Sequence, residues 1–109
     1  MPSTASIDAI MRSLADPTRR AVFERIIQSG EINVGDLVSG SGVTQSAVSQ
    51  HLRSLKRAGL IADRWQGRNV FYRAKPKGLA PLVDWMSHYG IFWRERVANL
   101  RTLLKEIDP

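Results

Sequence analysis

Thr44, Gln45, Ser46, Ser49, Gln50, Arg53 and Arg57 are the residues of this chain whose types and spacing can do chemistry together. From Ser46 onward they fall at i, i+3, i+4, i+7 and i+11, so on a helix they share one side. A glutamine amide pairs with adenine, an arginine with guanine or phosphate, and a serine lets two backbones approach closely; that chemistry is base reading in the major groove. Thr44 and Gln45 would stand at the helix N-terminus, the end a recognition helix points into the groove. Exposed N–H groups there also suit phosphate oxygens. Taken alone, the same pattern describes an ordinary amphipathic surface helix, so its neighbours must decide.

A second set follows closely. Arg64, Arg68 and Asn69, with Gln66, cluster around Gly67, which places long donors at a hairpin tip beside the helix. Such a wing lies over the phosphate backbone or enters the minor groove, where arginine meets a negative potential; the plainer alternative is a hairpin with a solvated, charged tip. From Arg53 to Lys77 the chain carries Arg53, Lys56, Arg57, Arg64, Arg68, Arg73, Lys75 and Lys77 against a single acid, Asp63. That local charge of +7 exceeds the whole chain's +6, so the remainder is nearly neutral. A basic segment on a balanced domain is the footprint of a polyanion binder.

These sets need elements to hold them. Ile7, Ile10, Met11 and Leu14 give one apolar stripe, predicting a first helix over 7–14 with Ser6 as its cap. Asp16-Pro17 reads as a cap and first helical residue of a second helix that runs to about Gln28, with Val22, Phe23, Ile26 and Ile27 at core spacing and Gly30 as its stop. A short third helix over 34–38 precedes the break Ser39-Gly40-Ser41-Gly42. The fourth, capped by Thr44, continues to about Ala58 and ends at Gly59, its Val48, Leu52 and Leu55 forming the inward stripe. Residues 60–65 and 69–73 read as two strands around the turn Gln66-Gly67-Arg68. A long last helix is predicted from Leu79 to about Ile107, with Gly90 as the place where it bends. The expected fold is therefore mainly α with a small β-hairpin, a winged helix-turn-helix.

Other classes find little support. The chain has 109 residues, enough for one domain spanning 1–109, and no cysteine, which removes disulfides, thiolate metal sites and cysteine nucleophiles. There is no glycine-rich phosphate loop, and the serines near His51 have no visible acid partner, so no catalytic residue and no cofactor is expected. The N-terminal residues lack a signal-peptide pattern and no apolar run is long enough to span a membrane, which predicts a cytoplasmic protein.

Three stretches, Leu14-Ala15-Asp16-Pro17-Thr18-Arg19-Arg20, Val43-Thr44-Gln45-Ser46-Ala47-Val48-Ser49-Gln50-His51-Leu52 and Leu55-Lys56-Arg57-Ala58-Gly59-Leu60-Ile61, resemble the ArsR (arsenic-repressor-like) winged-helix family. The similarity runs from about Ile7 to Leu104. It implies a homodimeric cytoplasmic repressor of operator DNA, with Thr44, Gln45, Ser46, Ser49, Gln50 and Arg53 on the DNA-facing stretch. His51 also matches, although a histidine beside Leu52 can equally be a packing residue. Many members of that family release DNA when a metal or another signal binds. Thiolate-type members carry cysteines on the third helix, where this chain has Glu31-Ile32-Asn33-Val34-Gly35-Asp36-Leu37. Zinc-type members use Asp and His pairs on the last helix. Here Asp84 and His88 could hold one edge of such a site, but Val97, Ala98, Asn99 and Leu100 offer no second pair, and the resemblance extends to a subgroup without metal-ligand motifs.

The last helix is instead aromatic. Trp85, Tyr89, Phe92 and Trp93 make up half of the aromatic residues of the chain. With Ile7, Ile10 and Met11 of the first helix, and Leu100 further along, they predict an interface between two copies. A hydrophobic ligand pocket between the same helices is the alternative. The function expected is a sequence-specific, metal-independent dimeric repressor on an inverted-repeat operator, its inducer unspecified. The alternatives are a winged-helix interaction module without DNA binding and a repressor with an organic-ligand or Asp/His metal sensor.

Overall fold

The computed structural model describes residues 4–107 as nine elements in the order α1 (Thr4–Ala15), α2 (Pro17–Ser29), β1 (Glu31–Asn33), α3 (Val34–Val38), α4 (Gln45–Arg57), β2 (Ile61–Gln66), β3 (Asn69–Ala74), α5 (Ala80–His88) and α6 (Gly90–Ile107). Caps written in the sequence set the starts of α2, α3 and α4. The Asp16 side chain accepts from the N–H of Arg19 at 3.0 Å and Pro17 opens α2, where its missing N–H costs nothing. Asn33 caps α3 by accepting from Asp36 N at 2.8 Å, and Thr44 caps α4 by accepting from Ala47 N at 3.2 Å. Ser6, expected to cap α1, lies inside that helix, which begins at Thr4.

The C-terminus of α4 is closed by backbone geometry. Gly59 takes φ +78°, its N–H bonds to Lys56 O, and the N–H of Leu60 bonds back to Leu55 O. This left-handed stop satisfies carbonyls the helix would otherwise leave open and folds Leu60, fully buried, over the equally buried Leu55.

The sheet has three antiparallel strands in the order β1-β3-β2. The hairpin turn is the two residues Gly67-Arg68, one shorter than predicted, because Gln66 still pairs with Asn69. The strand β1 was not predicted: Glu31, Ile32 and Asn33 pair with Arg73, Tyr72 and Phe71. Ile32 and Ile61 turn toward the helices and join Ile10, Val22, Phe23, Ile26, Leu37, Val48, Leu52, Leu55 and Leu60 in one core. Burying each large member stabilises the fold by about 1.5–3 kcal/mol.

Three further expectations are corrected. Ile27 is about half exposed, because the inward stripe of α2 is centred on Val22, Phe23 and Ile26 and the next residue turns a further ~100° away from it. The long last helix is two helices, interrupted at Tyr89 beside Gly90. Ile10, expected at an interface between copies, is 1% exposed and belongs to the core. No residue of α5 or α6 is buried.

Candidate nucleic-acid interface

The helix-turn-helix is α3, the turn 39–44 and α4. Its turn is held from both sides. Arg25 of α2 donates to the carbonyls of Leu37 at 2.9 Å and Ser39 at 3.0 Å, closing the end of α3. Within the turn, the Ser41 hydroxyl donates to Val38 O at 2.8 Å and accepts from the N–H of Val43 at 3.1 Å. Arg25 escaped the sequence reading because its targets are carbonyls, which every residue carries.

This frame fixes the rotation of α4. Val48, Leu52 and Leu55 are buried against the core, which turns Ser46, Gln50, Arg53 and Arg57 out to solvent, with Ser49 half-buried beside them. Thr44 and Gln45 are exposed at the N-terminus of the helix. The predicted reading face is thus one continuous outward surface. His51 is placed differently. Its ring is half-buried, its Nδ1 is out of solvent without a protein partner, and it lies close enough to Asp16 for its charge to act on that carboxylate. The Arg19 N–H, foremost, and the positive charge of His51 hold the Asp16 carboxyl below the usual range. His51 is thus as half-buried as Ser49, with its Nδ1 turned away from solvent.

Arg68 and Asn69 stand exposed at the wing tip. Arg64 does not join them. Its guanidinium is bound by the carboxylate of Glu31 on β1, with Nε donating to Oε2 at 3.1 Å, and it lies 4.9 Å over the ring of Phe71. It clasps the two outer strands across β3, and the ion pair holds Glu31 below the usual carboxylate range. Lys56 is likewise tied to Asp63 at 2.8 Å, which lowers the Asp63 carboxyl and raises the Lys56 ammonium. Among the described residues, no acid forms an ion pair with Arg53, Arg57 or Arg68, the cations of the reading face and wing tip. Trp65, near the same tip, is 67% exposed. Its position follows from strand alternation, since it continues the core-facing row of Ile61 and Asp63 past the end of the core.

Of the expected interface residues, Ile7 is half-buried and Met11, Trp85, Tyr89, Phe92, Trp93 and Leu100 are exposed. Trp85 and Tyr89 pack ring to ring at 5.2 Å, and Phe92 meets Trp93 edge-on at 5.1 Å. Asp84 and His88 are both exposed, and His88 packs edge-on against Tyr89. No three His, Asp or Glu side chains come together among the described residues, and no described helix is long and apolar enough to cross a membrane.

Comparison with known proteins agrees with this geometry. Residues 14–64 match the family model of a helix-turn-helix domain. The chain is 44% identical over 104 residues to the HTH-type transcriptional regulator Rv2034 of Mycobacterium tuberculosis, covering 95% of this chain and 94% of that protein. It is 39% identical over 82 residues to the HTH-type transcriptional repressor SmtB of Mycobacterium tuberculosis, covering 74% of this chain and 60% of the repressor. Among solved structures, that of an ArsR family transcriptional regulator superposes with a TM-score of 0.74 at 25% identity, covering 85% of this chain and 95% of the other. A recognition helix facing outward, a wing beside it and this likeness along nearly the full length lead to one conclusion: the chain belongs to the ArsR-type winged helix-turn-helix family of transcriptional regulators.

Proposed function

We propose that this regulator is a metal-independent dimeric repressor, acting in the cytoplasm, that reads an inverted-repeat operator through α4 of each copy while the wing grips the backbone. The observation that carries the reading is the two-sidedness of α4, with Val48, Leu52 and Leu55 inward and Ser46, Gln50 and Arg53 outward. Thr44, Gln45 and Ser49 complete the base-facing set, and Arg57, Arg68 and Asn69 supply contacts to phosphate and groove edge. The dimer is supported by the exposed apolar side chains of Trp85, Tyr89, Phe92, Trp93 and Leu100, and by Ile7 and Met11 of α1, the helix that packs against α5. Such a surface on a small chain needs a cover. Two reading helices related by a two-fold axis sit about 34–36 Å apart, one turn of B-DNA, which makes the operator an inverted repeat.

Selection of bound sequences from a random duplex pool, at low and physiological salt and with and without zinc, tests this. An inverted repeat recovered equally with and without zinc is expected. Recovery of no motif at either salt would favour an interaction module. Release by zinc would point to Asp84 and His88 as a sensor.

One observation favours a second reading. An apolar recess of about 560 Å³ lies between α5 and α6, bordered by Leu82, Trp85, Met86, Tyr89 and Trp93. It has the size of a small-molecule site. If an organic ligand rather than the second copy fills it, apolar compounds will raise the melting temperature and release DNA.

A further inference from the structure

A second cavity, of about 200 Å³, lies where α1, the start of α2 and the end of α4 meet, bordered by Arg12, Ser13, Arg19, Ser54 and Arg57. Three guanidinium-bearing side chains and two serines surround it, and no acid is among its lining residues. Asp16, the carboxylate at the start of α2, is engaged as the cap of that helix. Ser13 is 4% exposed, and its hydroxyl finds no partner in the protein. Arg19 donates from Nη1 to Ser13 O at 3.4 Å, but its Nε is buried and also has no partner. Buried donors in a folded protein are nearly always matched, and a polar, cation-lined cavity with unmatched donors calls for an acceptor. A water occupies roughly 30 Å³, so the space admits a tetrahedral oxyanion with a few waters.

We propose that this cavity binds a phosphate group, held by Arg12, Arg19 and Arg57 with Ser13 and Ser54 at its wall. Arg57 also stands on the outward face of α4, four residues beyond Arg53, so the cavity opens at the far end of the reading helix. Thirteen residues of helix measure about 20 Å, against a major groove about 12 Å wide. A helix whose first turn is seated in the groove therefore carries its last turn out beside the sugar-phosphate backbone. A backbone phosphate is the source this position favours, and that source rests on the DNA-binding reading; a free phosphate has the same chemistry.

Two arms separate the sources. In the first, the intact protein without DNA is titrated with inorganic phosphate at constant ionic strength, following the Arg19 Nε–H resonance. A saturable shift is expected, and loss of it in the Arg12→Ala/Arg57→Ala double variant. In the second, affinity for a non-specific duplex is measured against salt for wild type and Arg12→Ala, an exposed helical position where alanine is well tolerated. If the phosphate belongs to DNA, the slope of log affinity on log salt falls by about 0.9, one phosphate contact, with no change in sequence preference. A saturable shift with an unchanged slope, or with no DNA binding by the wild type, assigns the site to a free phosphate and leaves it standing. A reduced slope without a shift assigns it to the DNA backbone alone. An unchanged slope together with no saturable shift overturns the proposal.

Discussion

Gln50 and Arg53 show how much a single side chain can reveal before any fold is known. Their types, and their separation of three residues, were enough to place them on one outward face, because the helix period is fixed by the backbone. Alanine at Gln50 is expected to lower affinity for the selected operator by about 1–3 kcal/mol while leaving non-specific binding nearly intact, as measured by fluorescence anisotropy on matched and scrambled duplexes. Equal losses on both duplexes would mean that Gln50 reads no base. Arg64 shows the limit of such reasoning. In sequence it is one more cation beside the wing; in space Glu31, thirty-three positions away, binds it across the sheet. Arg64→Ala should therefore lower the melting temperature without altering the operator recovered. Arg25 is the opposite case, silent in sequence yet central to the turn. Removing its two charge-assisted bonds should destabilise the fold by about 1.5–3 kcal/mol in urea titration.

Among the elements, those with a clear start and stop were legible: Asp16-Pro17 before α2, Thr44 before α4 and Gly59 after it. The φ of +78° at Gly59 costs an L-residue about 1–2 kcal/mol, so Gly59→Ala should lower stability by that amount in chemical denaturation. β1 was not legible because three residues are too few to show alternation, and its pairing comes from β3, about forty positions later. The outer strands are fastened by ion pairs, Glu31–Arg64 from β1 to β2 and Lys56–Asp63 from α4 to β2. Both carboxylates are held below their usual range. Their contribution is therefore complete above the unfolded-chain value near 4 and is lost as pH falls through the lower folded values. Melting temperature should drop on acidification below about pH 4, and Glu31→Gln with Asp63→Asn should flatten that fall.

At the scale of the molecule, the radius of gyration is 17.9 Å, whereas a compact chain of this length has one of about 13 Å. The difference reflects α6, eighteen residues of which every one after Gly90 is exposed. The sequence announced its aromatic face but not its detachment, since periodicity tells which side of a helix is apolar and not what meets it. If a second copy covers this face, the double variant Trp85→Asp/Trp93→Asp should sediment as a monomer and lose most of its operator affinity. The break at Tyr89–Gly90 adds a further consequence. Beyond α5, the described part of the chain gives α6 little to pack on, and a helix so placed owes its order more to what covers its apolar face than to propensity. If the cover is a second copy, that order depends on how often two chains meet, and far-ultraviolet circular dichroism should gain helical intensity as protein is added. Under that coupling, the coil-to-helix change in α6 works as a gauge of the regulator's own abundance: a sparse population carries frayed tails and stays off DNA, and a dense one stiffens and occupies it.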